Sequence, residues 1–131
     1  MKLYDYLDSG NGYKVRLLLA HLGMRYEWEA KDIDRGETRT SEFLAKNPNG
    51  RIPTLQLDDG TYLAESNAIL WYLAEGTVFV ADSRLGRAQA LQWMFFEQYS
   101  HEPYIAVSRF VRKFLPADHP RRASLDALKA S

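Results

Sequence analysis

The chain has no cysteine among its 131 residues. That absence excludes disulfides, thiolate metal sites and any thiol nucleophile or dithiol redox pair of the protein's own. Thiol chemistry here needs a sulfur that arrives with a ligand. An excess of one charge is missing too, because 17 Lys and Arg balance 17 Asp and Glu. No global field therefore favours nucleic acid or an anionic membrane surface. No apolar run approaches bilayer-crossing length, and "MKLYDYLDSG" lacks the apolar stretch of a signal peptide. The expectation is a cytoplasmic protein whose partner is a small molecule or another protein. The three histidines, His21, His101 and His119, lie too far from acids at ligand spacing to suggest a metal site. What is present is globular usage: 46% hydrophobic and 13% aromatic residues suit one ordinary domain, or a small domain with part of another.

Periodicity divides the chain into two styles. "KLYDYL" sets Leu3, Asp5 and Leu7 against Tyr4 and Tyr6, which reads as a strand. From Lys14 the apolar positions Val15, Leu18, Leu19 and Leu22 follow helical spacing, and Gly23 is a natural stop. "RYEWEA" alternates again as a second strand, and the polar "KDIDRGETRT" reads as a loop. A short helix "SEFLAKN" follows, with Thr40 or Ser41 as its cap. "NPNGRIP" predicts a specific turn, and "TLQLDDGTYLA" two short strands joined at Asp58-Asp59-Gly60. "ESNAILWYLAEG" predicts a helix capped by Ser66 and stopped by Gly76.

This βαβ-α-ββα order implies an α/β layer with a mixed sheet over residues 1–76. Residues 77–83 read as a linker, and 84–131 as helix alone. The long helical run has Asp82 or Ser83 as cap, Pro103 as a kink and Pro116 as a stop. Leu91, Trp93, Met94, Phe95 and Phe96 occupy more than one of its faces, which predicts two packing partners. A last helix opens in "PRRASLDALKAS", with Leu125 and Leu128 beginning a stripe.

Taken together, Ser9 before "YKVRLLL", "NPNGRIPTL" from Asn47, "ESNAILWYL" from Glu65 and "RAQALQWMFFEQY" resemble the cytosolic glutathione transferases, along essentially the whole chain. The resemblance implies a thioredoxin-like N-terminal domain followed by an all-α C-terminal domain, here incomplete because the family's helical part continues beyond the equivalent of Ser131. The chain is then either a fragment or a shortened member. The resemblance further implies a homodimer that binds glutathione as co-substrate, with a small electrophile or a disulfide as the second partner.

It also assigns candidate residues. Ser9, of the serine type, would donate its hydroxyl to the glutathione sulfur, and Asn11 could reach the same anion. A thiol with a pKa of roughly 8.5 is a weak nucleophile until it ionises, and a hydroxyl, backbone N–H groups and a helix N-terminus all favour the thiolate. On residue type alone, Ser9 equally reads as a helix cap, Asn11 as a turn residue, and Gly10 and Gly12 either as room for a ligand or as turn formers. Pro53 matches the family's cis-proline, which would turn the Ile52 backbone toward the ligand, and neighbouring Arg51 could meet a carboxylate. Glu65 and Ser66 match the site for the γ-glutamyl end, with Glu65 receiving the ammonium group and Ser66 the carboxylate. Tyr99, Tyr104 and Ser108, with His101, are candidates for the second-substrate side or for core.

Three activities follow from this pattern. One is a glutathione transferase. The second is a glutathione-dependent disulfide reductase, suggested by "SGNG" and the absent cysteine. The third is a glutathione-binding module without turnover.

Overall fold

β1 (Lys2–Asp5) is the strand on which the first part of the chain is organised. The computed structural model describes residues 1–129, without the side chains of residues 128 and 129. It divides into two compact units, Met1–Val80 and the residues from Ala81 onward. In the first, β1 is followed by α1 (Gly10–His21), β2 (Glu27–Ala30), a 3-10 turn at Glu37–Arg39, α2 (Ser41–Lys46), β3 (Thr54–Gln56), β4 (Tyr62–Ala64) and α3 (Ser66–Ala74). The four strands form one mixed sheet in the order β2-β1-β3-β4. β1 and β2 run parallel, with Leu3 opposite Trp28, as a helical crossover requires. β3 lies antiparallel to both β1 and β4, with Leu55 opposite Leu3 on one side and Leu63 on the other. This is the mixed sheet that the element order implied, in the thioredoxin-like arrangement that the resemblance implied.

One sheet face carries the core. Leu3 and Leu55 pack with Val15, Leu18 and Leu19 of α1 and with Ile69 and Leu73 of α3. Burying an aliphatic side chain of this kind contributes about 1.5–3 kcal/mol before chain entropy is counted. The other face is covered as well. Tyr4 is buried there edge-on to Phe43 of α2, with ring centroids 6.1 Å apart. The ammonium groups of Lys2, Lys31 and Lys46 lie 5.7–5.8 Å from the Tyr4 ring centre. Alternation along β1 thus separates two buried faces rather than a wet face from a dry one.

Helix boundaries follow local chemistry. α1 starts at Gly10, four residues before the apolar stripe begins at Lys14, because the Ser9 hydroxyl caps it by accepting from Gly12 N–H at 3.1 Å. Thr40, rather than Ser41, caps α2 by accepting from Phe43 N–H at 3.2 Å. α3 departs from expectation. Its N-cap position is held by Glu65, with no side-chain cap, and Ser66 is the first helical residue.

In the second unit, Ser83 caps α4 (Arg84–Phe96), accepting from Gly86 N–H at 3.0 Å. A π-helical turn at Glu97–His101 joins α4 to α5 (Glu102–Phe114), where Glu102 N–H donates to the Glu97 carbonyl five residues back. The kink expected at Pro103 takes this form. Proline offers no N–H and its ring crowds the carbonyl four residues earlier, so the helix widens by one residue just before it. None of the α4 residues is buried, although two packing partners were expected for that helix. The Arg122 guanidinium of α6 (Pro120–Lys129) donates to the Leu115 and Arg112 carbonyls and so closes the end of α5. Leu125 is buried, while the Leu128 side chain and the expected end at Ser131 lie outside the described residues. Among the described residues, no helix is long and apolar enough to cross a membrane.

Candidate functional site

Strand register gathers the candidates of the first unit at one end of the sheet. Thr54 opens β3 and pairs with both Tyr4 near the end of β1 and Ala64 at the end of β4. The chain therefore leaves β1 toward Ser9, enters β3 from Pro53 and leaves β4 toward Glu65 at a single edge.

Ser9 and Asn11 lie on the turn into α1. The Ser9 N–H donates to the Tyr6 carbonyl at 2.9 Å, and its hydroxyl accepts from Gly12. Accepting uses one lone pair and leaves the O–H itself to donate. Both roles considered for Ser9 are thus compatible: it caps α1 as an acceptor, and that bond does not use its O–H. Both residues are half-buried, so they are reachable yet fixed.

Asn11 is held from across the sheet end. The Ser66 hydroxyl donates to Asn11 Oδ1 at 3.4 Å, and Ser66 is buried. With its oxygen engaged there, the Asn11 amide presents its N–H₂ elsewhere. The same bond brings the first turn of α3 against the first turn of α1. Helix N-termini carry N–H groups without intrahelical acceptors and the positive end of the helix dipole. Two such ends meeting at one place favour an anionic ligand.

Glu65 is the one non-glycine residue with positive φ among the described residues, at φ 68° and ψ 114°. A backbone of this kind costs on the order of 1–3 kcal/mol for a residue with a Cβ. It nevertheless keeps the first bond of α3, since the Ile69 N–H donates to the Glu65 carbonyl at 2.9 Å. Its carboxylate is exposed, and strain is tolerated here beside a site rather than inside the core.

The turn before β3 is organised by Asn47, which is 2% exposed. Its Nδ2 donates to the Arg51 carbonyl at 2.8 Å and to Thr54 Oγ1 at 3.0 Å, while Oδ1 accepts from Asn49 N–H at 3.1 Å. Gly50 sits inside this turn at φ 58°, where a Cβ would come within 2.8 Å of the Thr38 carbonyl. The Ile52–Pro53 bond is cis, as the resemblance implied, and Pro53 is buried. The Arg51 side chain is exposed, and its backbone rather than its guanidinium is what the turn uses.

Two residues beneath this site, Asp5 and Arg16, carried no role in the sequence reading. Asp5 is fully buried at the end of β1 and pairs with the Arg16 guanidinium, reached from the next turn of α1. The second Arg16 nitrogen, Nη2, donates to the Leu7 carbonyl at 2.9 Å. Burial pushes the Asp5 carboxyl above its usual pKa, against the pull of the Tyr6 backbone N–H and of Arg16. Gly12 gives this carboxylate its space, because a Cβ at Gly12 would overlap all three carboxyl atoms of Asp5. This steric need stands beside the two roles that the sequence offered for that glycine. The available signal was an acid in the same strand register as buried Leu3, with an arginine inside an apolar helix.

Tyr99, Tyr104 and Ser108 belong to the second unit. Tyr99 lies in the π-helical turn and Tyr104 on α5, both exposed, as is His101. Ser108 is buried and its hydroxyl has no hydrogen-bond partner among the described groups.

The family model for the glutathione S-transferase N-terminal domain matches residues 1–75. A glutathione S-transferase structure from Pseudomonas fluorescens Pf-5 is 55% identical, with a TM-score of 0.90 over 98% of this chain and 64% of that one. Ure2p in complex with glutathione is 28% identical, with a TM-score of 0.84 over 98% of this chain and 61% of that one. Maleylacetoacetate isomerase of Pseudomonas aeruginosa is 46% identical over 77 residues, covering 57% of this chain and 36% of its own length. The chain spans about a third of the length of the curated relatives it matches, 34% and 36% in two of them.

Proposed function

Because this chain belongs to the glutathione S-transferase family, we propose that its first unit binds glutathione as an extended tripeptide and holds the sulfur as thiolate for attack on an electrophile. The observation that carries the reading is the meeting of the α1 and α3 N-termini through the Ser66 hydroxyl and Asn11 Oδ1, 3.4 Å apart. A tripeptide with an anionic sulfur and an α-carboxylate needs donors for two anionic groups, and two neighbouring helix N-termini offer one set each. Ser9 and Asn11 serve the sulfur, Glu65 and Ser66 the γ-glutamyl end, and Ile52, Pro53 and Arg51 the segment between. Glutathione in the Ure2p complex supports this ligand for the fold.

The thiol proton leaves to solvent, and Ser9 donates its hydroxyl to the anion that remains. Ser9 is then neither base nor nucleophile. The thiolate forms a carbon–sulfur bond, and the leaving group departs with its electron pair. The protein contributes by stabilising the anion and by placing it. The second substrate, contacts from Tyr99, Tyr104 and Ser108, and assembly as a homodimer in the cytoplasm belong to the same proposal.

The test is conjugation of glutathione to a chloronitrobenzene by wild type and Ser9→Ala. Loss of one hydrogen bond to a charged group predicts a kcat/KM lower by about tenfold or more. An unchanged value removes Ser9 from the mechanism. Fast reduction of a small disulfide with weak conjugation would instead identify a disulfide reductase, and calorimetric binding without either activity a binding module.

A further inference from the structure

Resting on the glutathione reading above, we propose that Arg16 is a positioning residue for the sulfur end of the site, clamping the segment that carries Ser9 by bridging the Asp5 carboxylate and the Leu7 carbonyl. In the segment between β1 and α1, the side chains of Leu7 and Asp8 face solvent. Leu7 is 68% exposed and Asp8 is exposed, so burial does not fix their backbone. Hydrogen bonds fix it instead. Arg16 Nη1 donates to Asp5 Oδ2, and Nη2 donates to the Leu7 carbonyl at 2.9 Å. Two residues later stands Ser9, whose N–H returns to the Tyr6 carbonyl at 2.9 Å.

The two ends of this clamp are anchored differently. Asp5 is fully buried at the end of β1, with its carboxylate where a Cβ on Gly12 would lie. Arg16 is equally constrained on its own helix, with only 16% of its side chain exposed. A planar guanidinium held at one nitrogen by the core carries the position of β1 and α1 out to the Leu7 carbonyl at the other. Lysine carries a compact ammonium on a flexible stem and lacks the rigid planar fork that reaches the carboxylate and the carbonyl from two separate nitrogens. The Ser9 hydroxyl is thereby held where a sulfur can meet it, and Arg16 itself touches no ligand.

The experiment compares glutathione with S-methylglutathione, which fills the same site but has no thiolate for Ser9 to meet. Calorimetry at mildly alkaline pH measures both ligands with wild type, Arg16→Lys and the double variant Asp5→Asn/Arg16→Gln. The double variant removes both charges together, so no unpaired buried charge opposes its folding, and thermal melts establish that each variant is folded. Glutathione is expected to bind about tenfold more weakly to both variants, and S-methylglutathione to change by less than about twofold. Equal losses for both ligands would make Arg16 a general structural residue and overturn the proposal. Unchanged glutathione binding in the double variant would overturn it too. A wild type that binds neither ligand would remove the glutathione reading itself, a result separable from failure of the Arg16 role alone.

Discussion

Gly12→Ala is expected to destabilise the first unit, even though alanine is the better helix former. Gly12 lies in the first turn of α1 with an ordinary helical backbone, so propensity alone predicts a gain of up to about 1 kcal/mol. The tertiary contact opposes it. The added methyl would overlap the Asp5 carboxylate, and Asp5 cannot retreat because it is fully buried at the end of a central strand. Overpacking of this kind costs about 1–3 kcal/mol, and displacing one partner of a buried ion pair about 3–5 kcal/mol when the pair breaks outright. With partial relaxation, the net loss is about 2–4 kcal/mol. For a domain of this size that corresponds to a melting temperature lower by roughly 10–25 °C. Urea unfolding followed by tryptophan fluorescence measures it, reading Trp28 and Trp71 in a Trp93→Phe background to isolate the first unit. Gly10→Ala is the control, since nothing lies within 4 Å of its Cβ position. A Gly12→Ala midpoint equal to or above wild type would refute the steric argument and leave helix propensity as the stronger effect.

Asp5→Asn should change the pH dependence of stability. The folded Asp5 carboxyl is raised above its ordinary 3.8, so its contribution is fully present below that value and lost as pH rises through the raised one. Urea midpoints measured across a pH series should show wild type losing stability relative to Asp5→Asn as pH climbs past 3.8, and a constant difference would contradict the shift. Asn47→Ala leaves the Arg51 carbonyl, Thr54 Oγ1 and Asn49 N–H without their shared partner. At about 1 kcal/mol for each lost bond, the unfolding free energy should fall by about 2–4 kcal/mol in a denaturant titration. A loss under about 0.5 kcal/mol, the range of ordinary surface changes, would mean that water replaces the side chain.

Much of the fold was legible because its signals are local. The Ser9, Thr40 and Ser83 caps, the stops at Gly23 and Gly76, and the turn at Asp58-Asp59-Gly60 each depend on residues a few positions apart. The start of α3 was not legible. A serine after an acid reads as a cap, yet the chain enters that helix through a positive φ at Glu65, which no propensity rule assigns to glutamate. α1 also began earlier than its apolar stripe, because the first helical turn, Gly10 to Tyr13, is held by the Ser9 cap rather than by an apolar stripe of its own. Of the site, the residue types and their order were readable, and their family resemblance with them.

By itself the sequence determined the βαβ-α-ββα order, the change to helices after it and the absence of any protein thiol, since composition and short-range periodicity suffice for these. Tertiary structure alone decided which distant groups meet. It put the Ser66 hydroxyl on Asn11, 55 positions away, and the Asp5 carboxylate under Gly12 with Arg16 reaching on to Leu7. The physical reason is register. A mixed sheet with β1 and β3 at its centre brings three chain crossings to one edge, and that juxtaposition exists only once strands from three parts of the chain have paired.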